Sequence, residues 1–279
     1  MRIVENGRVD FMPGKCLILL SKLPLPSSSS YEEAAMGASE SYSVTVLLDV
    51  NDAQNIDDRA EARTYIVSDR RSGRAIIIDA VLENVERDCK VIRDLGLTLL
   101  FAVETHIHAD HVTGASFLKA RTGAQIVYGG AAKGVVDGAD RFLFEGEALP
   151  VGETCIHGLA TPGHTDCCTC YAVPGAVFTG DSLFIGSNGR TDLQGGSAEK
   201  LFDSVRRKLF GLPDDTIVYP GHDYNGRVSS TIAEEKQWNE RLNLSISKAT
   251  FIETMNARRV PPPAQMSIAI PANMRAGRI

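Results

Sequence analysis

The sequence predicts an α/β protein, and three observations support that prediction. Segments rich in β-branched and apolar residues alternate with helical segments from about residue 44 to residue 256. Histidines and aspartates stand repeatedly just past the predicted strands, where α/β proteins place their sites because loops there are free of the core. With 279 residues, the chain is long enough to bury such a core.

The composition is that of an ordinary globular protein and argues against several classes of partner. Hydrophobic residues make up 43% and charged residues 23% of the chain, and the net charge of -6 argues against nucleic acid or an anionic membrane surface as a partner. No apolar run approaches the roughly 18 residues that a membrane span needs. Three of the six cysteines lie in CCTC (167–170), which is no spaced disulfide framework, so we expect a reducing compartment inside the cell.

The first 43 residues differ from the rest of the chain. They include PLPSSSS and MGASESYS, which are polar, rich in small residues and without periodicity. Acidic residues such as Glu5 and Asp10 are unusual in a transit peptide. We therefore expect a poorly ordered N-terminal extension over residues 1–43 and one domain over residues 44–279.

The first part of that domain predicts three strands and a helix. VTVLLDV (44–50), TYIVSD (64–69) and AIIIDA (75–80) are typical of strands, and the turn signal DRRSGR separates the last two. LENVERDCKVIRDLG (82–96) has the apolar spacing of an amphipathic helix, and its final glycine stands where a helix C-cap is expected.

Strands and helices continue to alternate through the rest of the chain. TLLFAVETH (98–106) predicts a buried strand that runs into a cluster of histidines. The remaining predicted elements are a helix in GASFLKART (114–122), a strand in AQIVYGG (124–130), a strand in TCIHGLATPGH (154–164), two strands joined by a Pro-Gly turn in CTCYAVPGAVFTGDSLF (168–184), a helix in SAEKLFDSVRRKLFG (197–211), a strand in TIVYPGHDY (216–224) and two helices in about 230–256.

Four of the predicted strands end at possible metal ligands. These residues are His106, His108, Asp110 and His111, then His164, then Asp181, then His222. Histidine and aspartate suit a first-row metal ion, and among the six histidines only His157 lies outside this set. Imidazoles at alternate positions of a tight loop would let His106 and His108 face one centre, while the following residues turn towards a second. The residues by themselves are compatible with one metal ion or with two.

Four motifs, in this order, resemble the glyoxalase-II-like branch of the metallo-β-lactamase fold: THIHADH, TPGHT, FTGDSLF and YPGHDY. Finer details are similar to the persulfide dioxygenases, also called sulfur dioxygenases, of that branch. They are HADHVTG, GRTD (189–192), HDY in place of HEY, and the ending IPANMRAG (270–277). The resemblance covers about residues 45–277 and implies an αββα four-layer sandwich, with residues 44–279 as the catalytic domain.

The resemblance also implies a ligand set and a cofactor. The hydrolases of this fold hold two metal ions on these residues, whereas persulfide dioxygenases hold one Fe(II) per chain on His106, His164 and Asp181. Two imidazoles and one carboxylate form the facial triad of non-haem Fe(II) oxygenases, which leaves positions open for substrate and O2. The residues that would then surround the iron and orient its ligands are His108, Asp110, His111 and His222.

The implied reaction is the oxidation of glutathione persulfide by O2 to sulfite and glutathione. Arg190 and Tyr224 would bind the peptide part of the substrate, although Arg190 could instead form a structural salt bridge with Asp192, and Tyr224 could simply pack. We expect no nucleic acid and no membrane partner, and a homodimer is possible. The expected compartment is the cytoplasm or, in a eukaryote, the mitochondrial matrix.

Two other classes of protein compete with this interpretation. The first is a thioester hydrolase of the glyoxalase II kind, with two metal ions and water as the nucleophile. HDY in place of HEY, the GRTD stretch and the short chain after His222 argue against it. The second is a metal- or sulfur-binding protein without catalytic activity. Separately, Cys167 and Cys170 could form a redox pair or half of a zinc site, but buried free cysteines usually serve as small apolar residues.

Overall fold

The computed structural model describes residues 41–49 and 62–279 in full, together with the backbone of three strands near the N-terminus. These strands are β1 (Arg2–Glu5), β2 (Arg8–Phe11) and β3 (Leu17–Ser21). Apart from these strands and residues 41–43, the predicted extension over residues 1–43 lies outside the described residues. β3 pairs with the next strand of the chain, whereas the division into an extension and one domain stays a prediction.

The first sheet contains nine strands within the described part of the chain, in the order β2-β1-β3-β4-β5-β6-β7-β8-β9. Its other members are β4 (Tyr42–Asp49), β5 (Ala62–Asp69), β6 (Arg74–Ile78), β7 (Thr98–Glu104), β8 (Gln125–Gly129) and β9 (Arg141–Leu143). The run from β6 to β9 is parallel. The carboxyl ends of these four strands therefore all lie on the same side of the sheet.

The second sheet contains six strands of the described residues, in chain order. They are β10 (Ala148–Val151), β11 (Thr154–Ala160), β12 (Thr169–Val173), β13 (Ala176–Gly180), β14 (Ile217–Pro220) and β15 (Ser230–Thr231). β13 and β14 are parallel, so their carboxyl ends also lie side by side.

Helices cover the outer faces of both sheets. They are α1 (Val85–Asp94), α2 (Ala115–Thr122), α3 (Ala198–Arg207), α4 (Ile232–Trp238), α5 (Lys248–Ala257) and α6 (Met266–Asn273). α1 and α2 pack on the first sheet, and α3 and α5 pack on the second. None of these helices is long and apolar enough to cross a membrane.

The core lies in three layers because strand side chains alternate between the two faces of a sheet. In β6, Ala75 and Ile77 face the helices, whereas Ile76 and Ile78 face the second sheet. Between the sheets, Tyr65 contacts Phe178 edge to face with ring centroids 5.1 Å apart. The two packed sheets with helices outside confirm the αββα four-layer sandwich.

The structure contains elements that the sequence did not predict: β1, β2 and β3 within the expected extension, the short strands β9, β10 and β15, and the helix α6. β9 and β10 are short, and neither carries the run of β-branched residues that signals a strand. α6 contains Pro271, a residue that normally ends a helix in sequence-based reasoning. All the strands and helices that the sequence did predict from residue 44 onwards are present, with their ends displaced by a few residues.

Candidate metal centre

Three of the predicted ligands meet in one buried group at the edge shared by the two sheets. We call His106, His164 and Asp181 the first ligand group, and their donor atoms lie within 4.8 Å of one another. Nε2 of His164 is 3.4 Å from Oδ2 of Asp181. The rings of His106 and His164 meet edge to face, with centroids 4.9 Å apart. The three residues follow three different strands, β7, β11 and β13. The packing of the two sheets therefore brings them together.

Hydrogen bonds behind the two imidazoles leave Nε2 free on both rings. Nδ1 of His164 lies 2.7 Å from the carbonyl oxygen of Arg190, which can only accept, so Nδ1 carries the proton. The Thr105 hydroxyl donates its one proton to Oδ2 of Asp79, at 2.7 Å. Nδ1 of His106, 3.0 Å from that hydroxyl oxygen, therefore donates to it. Both Nε2 atoms keep the lone pair that a metal ligand needs.

The first ligand group fits a divalent cation by its charge as well as by its donor atoms. Burial, together with the neighbouring imidazoles of His108 and His164, lowers the pKa of His106 well below its usual value, so this ring is neutral near pH 7. Oδ1 of Asp181 is buried and has no hydrogen-bond partner among the described residues. Imidazole nitrogens together with a carboxylate oxygen are the donors that Fe(II) or Zn(II) takes in proteins.

Asp110, His111 and His222 form a second ligand group beside the first, and their side chains pair with one another. Nδ1 of His111 lies 3.0 Å from Oδ2 of Asp110. Nε2 of His222 lies 3.6 Å from the same oxygen and 3.6 Å from Oδ1 of Asp181. Burial would raise the pKa of Asp110, but the imidazoles of His111 and His222 hold it well below its usual range. Asp110 is therefore an ionised carboxylate shared by two imidazoles.

His108 points its Nε2 towards two buried carboxylates. Its Nε2 lies 3.1 Å from Oδ1 of Asp79 and 3.3 Å from Oε2 of Glu104. Burial would lower the pKa of His108, but these two carboxylates raise it well above its usual value. The ring centroids of His106 and His108 lie 4.1 Å apart, and Nδ1 of His108 is buried without a hydrogen-bond partner among the described residues, so the expectation that both face one centre stays a prediction.

Sequence reasoning missed three residues that support the centre: Asp79, Glu104 and Asn273. Asp79 follows β6 and Glu104 ends β7, so the rule that identified the histidines, polar residues at strand ends, applied to both. Oδ1 of Asp79 also accepts from the backbone N–H of Thr105, at 2.7 Å. Asn273 stood inside IPANMRAG, which we used as a family motif without assigning a contact to it.

The two predicted substrate-binding residues lie in different surroundings. Arg190 donates to both carboxylate oxygens of Asp192, at 2.7 and 2.8 Å, and to the carbonyl oxygens of Val260 and Pro261. One N–H of its Nη1 has no partner in the described part of the chain. Tyr224 stacks on His222 with centroids 6.1 Å apart, and its side chain is 64% exposed. Arg190 thus forms the alternative salt bridge, and Tyr224 is open to a ligand.

Fold and site together define a protein of the metallo-beta-lactamase superfamily, whose family model matches residues 62–222. The chain is 41% identical to the mitochondrial persulfide dioxygenase ETHE1 of Mus musculus, with 80% of this chain and 87% of that protein covered. It is 42% identical to the same protein of Homo sapiens, over 77% of this chain and 84% of that one.

A solved structure agrees with these sequence comparisons. The crystal structure of ETHE1 from Myxococcus xanthus superposes with a TM-score of 0.76 at 40% identity and covers 82% of this chain and 98% of that one. The chain belongs to the persulfide dioxygenase family of the metallo-beta-lactamase superfamily, and it is an oxidoreductase. These comparisons support the dioxygenase over the hydrolase of the glyoxalase II kind.

Proposed function

We propose that this protein oxidises glutathione persulfide with O2 at one ferrous ion per chain, held by the first ligand group. The observation that carries the proposal is that Nδ1 of both His106 and His164 donates a hydrogen bond, which leaves Nε2 for a metal ion, beside an Asp181 oxygen without a hydrogen-bond partner among the described residues. This ligand set is the facial triad of non-haem Fe(II) oxygenases, which leaves positions for both reactants. The names of the relatives support the persulfide as substrate.

The overall reaction balances with water as a third reactant. One glutathione persulfide, one O2 and one water give glutathione, sulfite and two protons. A ferrous ion supplies the electron-transfer chemistry that lets O2 react with the persulfide sulfur. The Asp110 carboxylate lies 3.0 Å from Nδ1 of His111 and 3.6 Å from Nε2 of His222, so this trio is placed to hold protons released beside the first ligand group.

The peptide part of the substrate needs a binding surface next to the centre. A cleft of about 470 Å³ borders His222 and Tyr224 and is also lined by Phe184, Arg227 and Trp238. We propose that the Tyr224 hydroxyl donates to the glutathione peptide, since the side chain is exposed at the mouth of this cleft. Arg190 would contribute its remaining Nη1 N–H to a carboxylate of the substrate.

We further propose a reducing compartment, either the cytoplasm or, in a eukaryotic cell, the mitochondrial matrix. The five described cysteines are free thiols, and the mammalian relatives are named as mitochondrial. A homodimer is part of the same proposal, and sedimentation equilibrium of the metal-loaded protein would decide it.

Oxygen uptake on addition of glutathione persulfide tests the proposed function. The Fe(II)-loaded protein should consume O2 in a 1:1 ratio to the sulfite formed and should contain one iron per chain by elemental analysis. Asp181→Ala should remove both the iron and the uptake, whereas the surface variant Asp166→Ala, which loses an exposed pair with Lys200, should keep both. Iron-loaded protein without uptake would contradict the proposal, and two metal ions per chain with thioester hydrolysis would favour the hydrolase. Coenzyme A persulfide in parallel identifies the carrier.

A further inference from the structure

The loop between β7 and α2 carries four residues of the metal centre, and a side chain from the far end of the sequence holds its backbone. We call residues 105–113 the histidine loop. Nδ2 of Asn273 donates to the carbonyl oxygens of His108 and His111, at 2.9 and 2.8 Å. Oδ1 of the same side chain accepts from the backbone N–H of Thr113, at 2.9 Å. Asn273 is completely buried, so no water replaces these bonds.

The chain around Asn273 is shaped for a close approach to the histidine loop. After α6 the backbone turns through left-handed conformations at Ala276 and Gly277, with φ of 55° and 82°. A Cβ on Gly277 would lie 2.1 Å from the carbonyl oxygen of Thr113, so no larger residue fits there without displacing the loop. The Ser116 hydroxyl donates to the carbonyl oxygen of Ala276, at 2.5 Å, which also joins the C-terminal segment to α2, the helix that follows the histidine loop.

The three bonds require the amide group of asparagine in particular. An amide offers two N–H donors on nitrogen and an acceptor on oxygen, which matches two carbonyl oxygens and one N–H. Aspartate would place a second acceptor against the two carbonyl oxygens, and alanine would leave all three buried backbone groups without a partner. Asparagine at position 273 is therefore the residue whose side chain can satisfy all three of these backbone groups.

We propose that Asn273 is a positioning residue of the metal centre and that the segment 266–277 clamps the histidine loop in its metal-binding shape. The proposal rests on the proposed metal centre and adds to it a contribution from the C-terminal segment. Because the loop contains His106, Asp110 and His111, its backbone sets where all three side chains stand. Partners that orient metal ligands typically contribute about 10–100-fold to metal affinity.

Substitution of Asn273 and of a matched asparagine is the first test. Asn239 is also completely buried, and its amide also bonds backbone groups, but its partners lie at Ser187, Arg241 and Leu242, away from the histidine loop. Asn273→Ala should raise the Fe(II) dissociation constant, measured by competition with a chelator, at least about tenfold. Asn239→Ala should change it less than about twofold, even where its loss of thermal stability is similar.

A second pair of variants decides the question if Asn273→Ala fails to fold. Gly277 and Gly175 have nearly the same backbone conformation, with φ of 82° and 79°, but a Cβ on Gly175 meets nothing within 4 Å. Alanine is strained by the backbone at both positions, and only Gly277→Ala pushes against Thr113. Gly277→Ala should weaken Fe(II) binding about tenfold and shift the visible absorption bands of the Co(II)-loaded protein. Gly175→Ala should do neither.

The results of these tests distinguish a failure of the proposed clamp from a failure of the proposed function. Weaker metal binding in Asn273→Ala or Gly277→Ala, with both controls unchanged, supports the clamp whatever the enzyme oxidises. Unchanged Fe(II) affinity and unchanged Co(II) bands in the folded variants would overturn it, and so would equal effects in the controls. A wild-type protein that binds iron but consumes no O2 would instead contradict the proposed function alone.

Discussion

The metal centre contains two groups of side chains with the same chemistry and different partners. In the first ligand group, His106 and His164 use Nδ1 on a hydroxyl and on a backbone carbonyl, which are neutral acceptors. In the second, His111 and His222 both turn a nitrogen towards Asp110. Donation to neutral acceptors fixes the tautomer of the first two rings, whereas the rings of the second group share the ionised carboxylate of Asp110. Partners of the ligands, rather than the ligand types, distinguish the two groups.

The largest expected effect comes from removing one histidine from each group. His164→Ala deletes a ligand with a free Nε2 and should weaken Fe(II) binding more than about a hundredfold, beyond the usual effect of partners of ligands. His111→Ala removes an imidazole paired with Asp110 and should leave one iron per chain with lower activity. Elemental analysis after iron loading and desalting measures both. Equal loss of iron from the two variants would contradict the distinction between the groups.

A buried carboxylate that belongs to neither ligand group sharpens the comparison. Asp88 bonds Arg87 through Oδ1, while its buried Oδ2 has no partner in the described part of the protein. Burial raises the pKa of Asp88 from 3.8 to about 7, so the folded state keeps the proton between these values while the unfolded state releases it. Stability should therefore fall as the pH rises from 4 to 7, by about 2–4 kcal/mol from this group.

Urea unfolding of the metal-free wild type and of metal-free Asp88→Asn at pH 4.5 and pH 7.5 gives the free energy of unfolding of each protein at each pH. The contribution of Asp88 (on the order of 2–4 kcal/mol) is the difference between the two proteins in how far this free energy changes with pH. The variant should lose less stability than the wild type over that interval, because asparagine cannot ionise. Parallel pH slopes for the two proteins would contradict this expectation and would show that the Arg87 guanidinium keeps Asp88 ionised in the folded protein.

A smaller effect on Fe(II) affinity is expected from removing the Thr105 hydroxyl, which sets the tautomer of His106. Thr105→Val keeps the shape of the side chain but removes the oxygen that accepts from Nδ1. The His106 ring can then carry its proton on either nitrogen, so Fe(II) affinity should fall about tenfold. Chelator competition measures the affinity, and titration of the His106 ring by NMR in the metal-free protein would report the tautomer. Unchanged affinity would show that burial alone orients the ring.

The smallest effect is expected at the cysteines. Cys167 packs between the first sheet and its helices, and Cys170 packs between the second sheet and its helices, so they do not form a pair. Burial raises the pKa of Cys170 to about 11, whereas Cys155 is exposed. Among the described cysteines, iodoacetamide should modify Cys155 first, and Cys167→Ala should keep O2 uptake within about twofold. Loss of uptake in that variant would revive a redox role for the C-x-x-C pair.

Much of the fold follows from local patterns, and the exceptions have local reasons. Ile76, Ile77 and Ile78 are β-branched and stand in one buried strand, as the sequence predicted. α3 has the apolar spacing that buries Leu201 and Val205. β9, β10 and α6 escaped prediction because each is short and α6 contains a proline, so contacts with the rest of the fold, and not local preference, hold them in place.

The sequence by itself determined the elements, their alternation and the residue types at the strand ends, because these depend on neighbours a few positions apart. It also carried the motifs that identify the family. The tertiary structure alone decided which nitrogen of each imidazole is free, that His108 turns to Asp79 and Glu104, and that Asn273 holds the histidine loop. These contacts join residues up to 165 positions apart, and their directions follow from how the two sheets pack and from which polar groups are buried together.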